Sequence, residues 1–442
     1  MNVSERYQIG GAGSAAIAAG LEAAIHDGRV ESGERLPAIR SLAVALGVSP
    51  GTVAAAYRQL RERGLVAGEG RRGTTVRSQS PLQRRLFVEV PPGVHDLADG
   101  SPDSALLPPL DGAVDQLDLR TRRYDEWGAL PDLVELAAQR FAADRIPSGP
   151  VAVVGGARDG IERALIAWTR PGDRIAVEDP CFTGILDLVI AMGLAPVPVA
   201  VDAFGPSAEQ LAGVLARGVA AAVITPRAQN PTGAALDAAR AAELRSLLDA
   251  HPHVLVVEDD HAALLSEAAG HTLASPDRER WIVVRSVSKA LGPDLRLAVA
   301  TGDNTTVARI ETRQLLGTGW VSTLLQQLVL VLWRDEATTA LLARAAGVYA
   351  ARRRAAVAAL RAVGRDVAAS SGSNLWVPVP EEAAVVQGLL DAGWAVGAGE
   401  RHRIAAAPAI RIATTTLEPS DAQRFAADLA NVLDRPARRP AS

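Results

Sequence analysis

Reactive chemistry in this chain centres on one lysine. Of the 46 Lys and Arg residues, Lys289 is the sole lysine and the other 45 are arginine. A bias toward Ala and Arg codons accounts for the missing lysines, but not for the one retained in SVSKALGPDLR. An amine just after an apolar strand-like run can form a Schiff base with an aldehyde cofactor, which a guanidinium cannot do. The competing reading is a surface lysine, and it weakens in a chain that has discarded lysine everywhere else. Thirty residues earlier, HVLVVEDD ends in Asp259 and Asp260. A carboxylate at a strand end can pair with a protonated pyridine nitrogen and keep that ring an electron sink. It can equally cap the next helix, and spacing does not choose between the two aspartates.

Other residues suit a phosphorylated aromatic aldehyde. VVGGARDGIERAL offers a strand, then Gly155, Gly156, Ala157 and Arg158, then a helix whose first N–H groups can hold an anion. Ser286, Ser288 and Arg296 add hydroxyls and a guanidinium fork near the lysine. Phe182 in EDPCFTG can cover a ring face or simply fill the core. Asn230 in TPRAQNPTG can donate to a phenolic oxygen or serve its turn alone. Arg411 lies inside the apolar run PAIRIATTT and so needs an anionic partner, a ligand carboxylate or an internal one.

Positioning these residues requires an α/β fold. Apolar runs at Val151–Val154, Arg174–Val177, Ala221–Ile224, Val254–Val257 and Trp281–Val284 alternate with Ala- and Leu-rich helices such as Asp237–Leu248. That alternation predicts a mainly parallel sheet, with active residues beyond the carboxyl ends of its strands.

The N-terminus reads differently. Residues 1–80 hold ten arginines against seven acids, a balance of +3 within a chain of net charge −4. Ile17, Leu21 and Ile25 mark one apolar helix face ending near Gly28, and a second helix spans about Pro37 to Ala45. Gly47 makes the turn, Ser49 caps and Pro50 opens a third helix through Thr52, Val53, Tyr57 and Leu60 to Gly64. Leu65–Val66 and Thr74–Val76 then flank a Gly-rich turn, a β-hairpin signal. Three helices and a hairpin make a winged helix-turn-helix, with the third helix in the major groove. Its candidate DNA contacts are Arg40, Ser49, Gly51, Thr52 and Arg58, with Arg71 and Arg72 on the wing tip.

Two resemblances follow. GERLPAIRSLAVALGVSPGTVAAAYRQLRERGLV resembles the GntR family of bacterial regulators over residues 14–77, with Pro50 where that family commonly has Arg. GSPDSALLPP, YDEWGALPDL, EDPCF, QNPTG, VEDD, the lysine segment and IRI resemble fold-type-I pyridoxal 5'-phosphate (PLP) aminotransferases over residues 98–435. Joined, they look like the MocR subfamily of regulators. The resemblance implies PLP as cofactor, Lys289 as the lysine that condenses with it, and Asp259 as the partner of its pyridine nitrogen. It places Asn230 at the ring hydroxyl and Phe182 at the stacking position usually held by Tyr. Gly156, Ala157, Arg158, Ser286, Ser288 and Arg296 form the phosphate cup. Tyr124 reaches the neighbouring subunit's phosphate, and Arg411 binds an effector carboxylate. His261 stands where the family commonly has Tyr, and Cys181 and Ala298 replace frequent glycines.

The expected organisation is a GntR-type DNA-binding domain at 1–78, a linker at 79–97 and an aminotransferase-like effector domain at 98–442. A single cysteine, Cys181, excludes an intramolecular disulfide and fits a reducing cytoplasm. The start of the chain has no signal-peptide layout, and the apolar stretches read as core, so no membrane partner is expected, and no metal. The reading is a homodimeric, domain-swapped regulator of double-stranded operator DNA that senses a small amine or amino acid, or PLP itself. Full turnover is not expected, although a transaminase half-reaction is compatible. The alternative is an active aminotransferase with a fused winged helix.

Overall fold

The computed structural model describes residues 7, 9, 11–31, 33–62, 65–67, 73–76 and 90–434. Arg71 and Arg72, and most of the expected linker, lie outside the described residues. The chain divides into two compact units: Met1–Glu89 with Thr169–Ile175 and Asp187–Pro196, and Val90–Trp168 with Ala176–Leu186 and Val197–Ser442.

In the first unit, helices span Ser14–His26, Ile39–Leu46 and Pro50–Glu62. The four-residue spacing of Ile17, Leu21 and Ile25 buries all three in one core with Leu42, Val53, Tyr57 and Leu60. Gly47 ends the second helix in the left-handed region (φ 66°), where Val48 N–H returns to the Ala43 carbonyl. Two residues on, the Ser49 hydroxyl accepts from Thr52 N–H at 3.1 Å and starts the third helix. Strands β1 (Val66–Ala67) and β2 (Thr75–Val76) pair antiparallel as the base of the wing. The helix-turn-helix and hairpin therefore stand where the sequence places them.

The second unit holds most of an eight-stranded sheet. Its strands are β4 (Val151–Val154), β5 (Arg174–Asp179), β6 (Ala195–Asp202), β7 (Gly205–Pro206), β8 (Ala221–Ile224), β9 (Leu255–Asp259), β10 (Trp281–Ser286) and β11 (Ala298–Gly302). Their spatial order is β4-β11-β10-β9-β8-β5-β6-β7. β8, β9 and β10 run parallel, whereas β11 is antiparallel to both β10 and β4. The mainly parallel sheet expected from sequence thus carries an antiparallel strand, β11, between two parallel ones, β4 and β10. β10 and β11 are joined by only the short helix Ser288–Leu291 and a turn, too little chain for a crossover, so β11 returns antiparallel.

A smaller sheet orders β12 (Asn374–Pro378), β15 (Ala409–Ala413) and β14 (Gly397–Ala398), all antiparallel. Beside it β3 (His95–Asp96) pairs parallel with β13 (Trp394–Ala395). Residues 95–97, read from sequence as the end of a linker, are therefore structured: Leu97 is buried in one core with Trp394, Ile410 and Phe425. A two-residue strand flanked by prolines carries no periodicity, which is why sequence reading passes over it.

Candidate functional site

The residues singled out by sequence converge at the carboxyl ends of β4, β5, β8, β9 and β10. Asp259 ends β9, and its neighbour across the sheet is Val284 of β10. Lys289 follows β10 on the short helix Ser288–Leu291, with Ser286 as the last residue of the strand. Phe182 follows β5 and Asn230 follows β8.

Asp259 and Asp260, equivalent in sequence, are not equivalent in space. Asp260 is locked between two buried arginines: Arg227 Nε at 2.8 Å, and Arg285 Nη2 at 2.7 Å. Asp144 completes this cluster, 2.7 Å from Arg227 and 2.6 Å from Arg285. Burial alone would raise the Asp260 pKa, but the hydrogen bonds and charges of the arginines hold it below the usual carboxylate range. Asp259 is as deeply buried, yet its Oδ1 has no hydrogen-bond partner. His261 Nδ1 lies 3.7 Å from that oxygen, beyond hydrogen-bond reach. Burial pushes the Asp259 pKa up, Asp260 adds to the rise and His261 opposes it. A buried carboxylate oxygen without a donor is costly, and a pyridine N–H would satisfy it.

Asn230 Oδ1 and His261 Nδ1 are likewise buried without a hydrogen bond. The turn that carries Asn230 is fixed by Gln229. Its amide donates to Glu178 Oε2 (3.0 Å) and the Pro180 carbonyl (2.8 Å), and its Oε1 accepts from Thr232. Phe182, half-buried, packs on Gly184, where a Cβ would lie 2.6 Å from its ring.

An anion cradle lies beside the lysine. Ser288 N–H donates to Ser286 Oγ (3.2 Å), and Arg296 Nη1 donates to Ser288 Oγ (3.2 Å). Gly156, at φ 101°, brings its backbone so close that a Cβ would sit 2.7 Å from Arg296 Nη2. Ala157 and Arg158 then open the helix Ala157–Trp168, whose first-turn N–H groups have no intrahelical acceptor. Gly155 N–H is taken by Asp159 Oδ2 at 2.8 Å and Gly156 N–H by the Val154 carbonyl at 2.8 Å, so the donors aimed at an anion begin with the first turn of the helix at Ala157. These residue types and this narrow glycine approach suit a phosphate.

Arg411 sits on β15 opposite Trp376 and Gly397 and donates to the Ala98 carbonyl. Lys289 Nζ donates to the Gly100 carbonyl at 2.5 Å. Tyr124 is apart from this group: it is 83% exposed on the turn Tyr124–Glu126, edge-on to Trp320. In the first unit Arg40, Ser49, Gly51 and Arg58 are exposed and Thr52 is half-exposed.

Sequence reasoning missed Asp144, Arg227, Arg285 and the Ala98–Gly100 backbone. Arg285 was within reach, because it interrupts the apolar run WIVVRS just as Arg411 interrupts its own. Backbone carbonyls leave no trace in residue types.

A winged helix-turn-helix joined in one chain to an aminotransferase-type α/β body defines the class of fused regulators. Residues 109–429 match the aminotransferase class I and II family, and residues 14–76 match the gntR family of bacterial regulatory proteins. The chain is 38% identical over 412 residues to the vitamin B6 salvage pathway transcriptional repressor PtsJ of Salmonella typhimurium, covering 92% of this chain and 95% of that protein. It is 29% identical over 247 residues, 53% of each chain, to the pyridoxine biosynthesis transcriptional regulator PdxR of Corynebacterium glutamicum. The Rhizobium meliloti aspartate aminotransferase structure superposes with a TM-score of 0.68 at 23% identity, over 77% of this chain and 92% of that one, and so shares the fold. The chain belongs to the MocR-type regulators, in which a GntR domain is fused to an aminotransferase class I/II domain. The aminotransferase family is PLP-dependent. Among the described residues no single helix is long and apolar enough to cross a membrane.

Proposed function

We propose that this protein is a PLP-binding transcriptional regulator whose winged helix binds operator DNA and whose signal is PLP itself. The observation that carries the reading is Asp259 Oδ1, a buried carboxylate oxygen without a donor, at a strand end beside the strand that leads to the lone lysine. In this reading Asp259 accepts the cofactor's pyridine N–H and Lys289 takes its aldehyde. Asn230 and His261 face its ring oxygen, and Phe182 covers its ring. Gly156, Ala157, Arg158, Ser286, Ser288 and Arg296 receive its phosphate. When bound, the cofactor supplies an electrophilic carbon and an electron-withdrawing ring. The protein supplies charge compensation, orientation and a dry floor. PLP is favoured over an amino acid as the signal because two similar regulators carry vitamin B6 or pyridoxine control in their names. Arg411 remains the residue that would hold a carboxylate.

A domain-swapped homodimer goes with this reading. Leu119, Tyr124 and Leu316 are 69%, 83% and 77% exposed, which leaves them free to meet a partner subunit, and Tyr124 would complete the partner's phosphate cup. Two winged helices would then read two half-sites.

The test is binding of the purified protein to the promoter region flanking its own gene, with and without PLP. PLP-dependent binding is expected. Multiple turnovers of amino acid to oxo acid at ordinary enzyme rates, with no operator binding, would establish the aminotransferase reading instead.

A further inference from the structure

Two cationic side chains of the candidate site, Lys289 and Arg411, are held by one short piece of backbone. The Ala98 carbonyl accepts from Arg411, and two residues later the Gly100 carbonyl accepts from Lys289 Nζ at 2.5 Å. The segment is tied at both ends. Upstream, β3 pairs with β13, Leu97 N–H donates to the Ala395 carbonyl at 2.8 Å, and Ala413 N–H donates to the Leu97 carbonyl at 2.8 Å. Downstream, Asp103 binds Arg352 at 2.9 Å, and its N–H donates to Tyr349 Oη at 3.0 Å. Between the ties the chain holds itself in a bend: Asp96 Oδ1 accepts from Ala98 and Asp99 N–H, and Asp99 Oδ1 from Ser101 N–H. The approach is close, since a Cβ on Gly100 would lie 3.3 Å from Arg411 Nη1.

The strap's middle therefore depends on two donors of unequal fate. An ammonium can serve Gly100 with three hydrogens. Once the ammonium has given one proton to solvent, the neutral amine can add to an aldehyde: a C=N bond forms, the aldehyde oxygen leaves as water with the two amine hydrogens, and the nitrogen then carries at most one proton, taken back from solvent. The donor that held Gly100 is then committed elsewhere, while Arg411 can stay on Ala98. An alcohol or amine form of the same molecule offers the same phosphate and ring but cannot take the nitrogen away.

Resting on the PLP reading above, we propose that the Ala98–Gly100 backbone makes the site answer to the aldehyde form of the vitamer alone, because only an aldehyde releases the strap from Lys289. Residues 90–97 join this strap, along the chain, to the N-terminal unit.

Hydrogen–deuterium exchange of the full-length protein tests this, read on peptides covering residues 97–104. PLP should speed exchange there by about tenfold, the worth of one hydrogen bond to a charged donor. Pyridoxine 5'-phosphate should leave it unchanged, although it protects peptides spanning Ser286 to Arg296. Lys289→Ala without any ligand should show the fast exchange already, with the rest of the map unaltered. PLP that binds by visible absorbance but leaves 97–104 unchanged would overturn the strap. So would equal release by pyridoxine 5'-phosphate, or slow exchange in Lys289→Ala. If PLP does not bind at all, the functional reading fails, and the lysine variant still decides whether Lys289 holds the strap.

Discussion

Asp259 and Asp260 are adjacent, both buried, and turn their carboxylates into opposite surroundings: Asp260 into a cage of Arg227 and Arg285, Asp259 toward an oxygen position with no donor. Two buried neighbouring carboxylates repel, and the arrangement is tolerable because the arginines neutralise one of them. The cage thus offsets part of the repulsion on Asp259, whose pKa is still pushed up by its burial.

Opposite outcomes follow for the two asparagine variants. Asp260→Asn leaves Arg227 and Arg285 short of a counter-charge and should cost about 3 kcal/mol of stability in denaturant unfolding. Asp259→Asn removes a buried carboxylate whose Oδ1 already lacks a hydrogen bond, so stability should hold or rise. Its PLP affinity, followed by absorbance titration, should fall by about tenfold or more, the worth of a charge-assisted hydrogen bond. Equal stability losses in the two variants would contradict this division of labour.

A second carboxylate makes stability depend on pH. Burial pushes the Glu258 pKa up to about 7, against hydrogen bonds from Thr272, Leu273 and Ala274 that all converge on Oε1. The unfolded side chain releases its proton near its ordinary 4.5. Between those values the folded protein holds the extra proton, so stability falls as pH rises from about 4.5 to 7 and levels off above. Glu178, also pushed up to about 7 by burial, acts in the same direction. Glu258→Gln keeps an oxygen for the three donors and carries no charge. Its melting temperature at pH 8 should rise relative to wild type while that at pH 5 stays put, flattening part of the slope.

How much of this was legible in the sequence depends on the kind of interaction. The winged helix was readable because its signals are local: the spacing of Ile17, Leu21 and Ile25, the positive-φ turn at Gly47, the Ser49 cap. The strand ends bearing Asp259 and Lys289 were readable for the same reason. The antiparallel course of β11, the pairing of β3 with β13 and the cage around Asp260 were not. The last two are made by residues far apart in the chain: Asp144 and Arg285 are 141 positions apart. Composition says that a buried arginine needs an anion but not which one. The Asp259 choice could be made from the sequence only through the family resemblance, and packing supplies the independent reason for it.

Tyr57 gives the N-terminal unit one long-range tie. It is buried, and its hydroxyl donates to the Pro37 carbonyl at 2.7 Å, fastening the third helix to the chain before the second. Tyr57→Phe keeps the ring and strands the carbonyl, so it should cost about 1 kcal/mol. Limited proteolysis within the first 62 residues should quicken, with the unfolding of the aminotransferase-type body unchanged.

The arginines proposed to meet DNA can be sorted by salt. Arg58 is exposed on the third helix and Arg40 on the second, and neither carries an intramolecular ion pair among those described. A phosphate contact contributes to affinity without reading sequence, and its loss lowers the slope of log K against log salt by about 1. Arg40→Ala and Arg58→Ala should each weaken binding to the promoter fragment by that slope and weaken non-specific DNA to the same degree. A base contact behaves otherwise: its removal costs about 1–3 kcal/mol on the operator and little on non-specific DNA. Gly51 and Thr52 flank the N-terminus of the third helix, where Pro50 replaces the arginine common in the GntR family, so Thr52→Ala should show this second pattern. Fluorescence anisotropy over a salt series on both DNAs separates the two, and an Arg58→Ala loss confined to the operator would reassign that residue to base recognition.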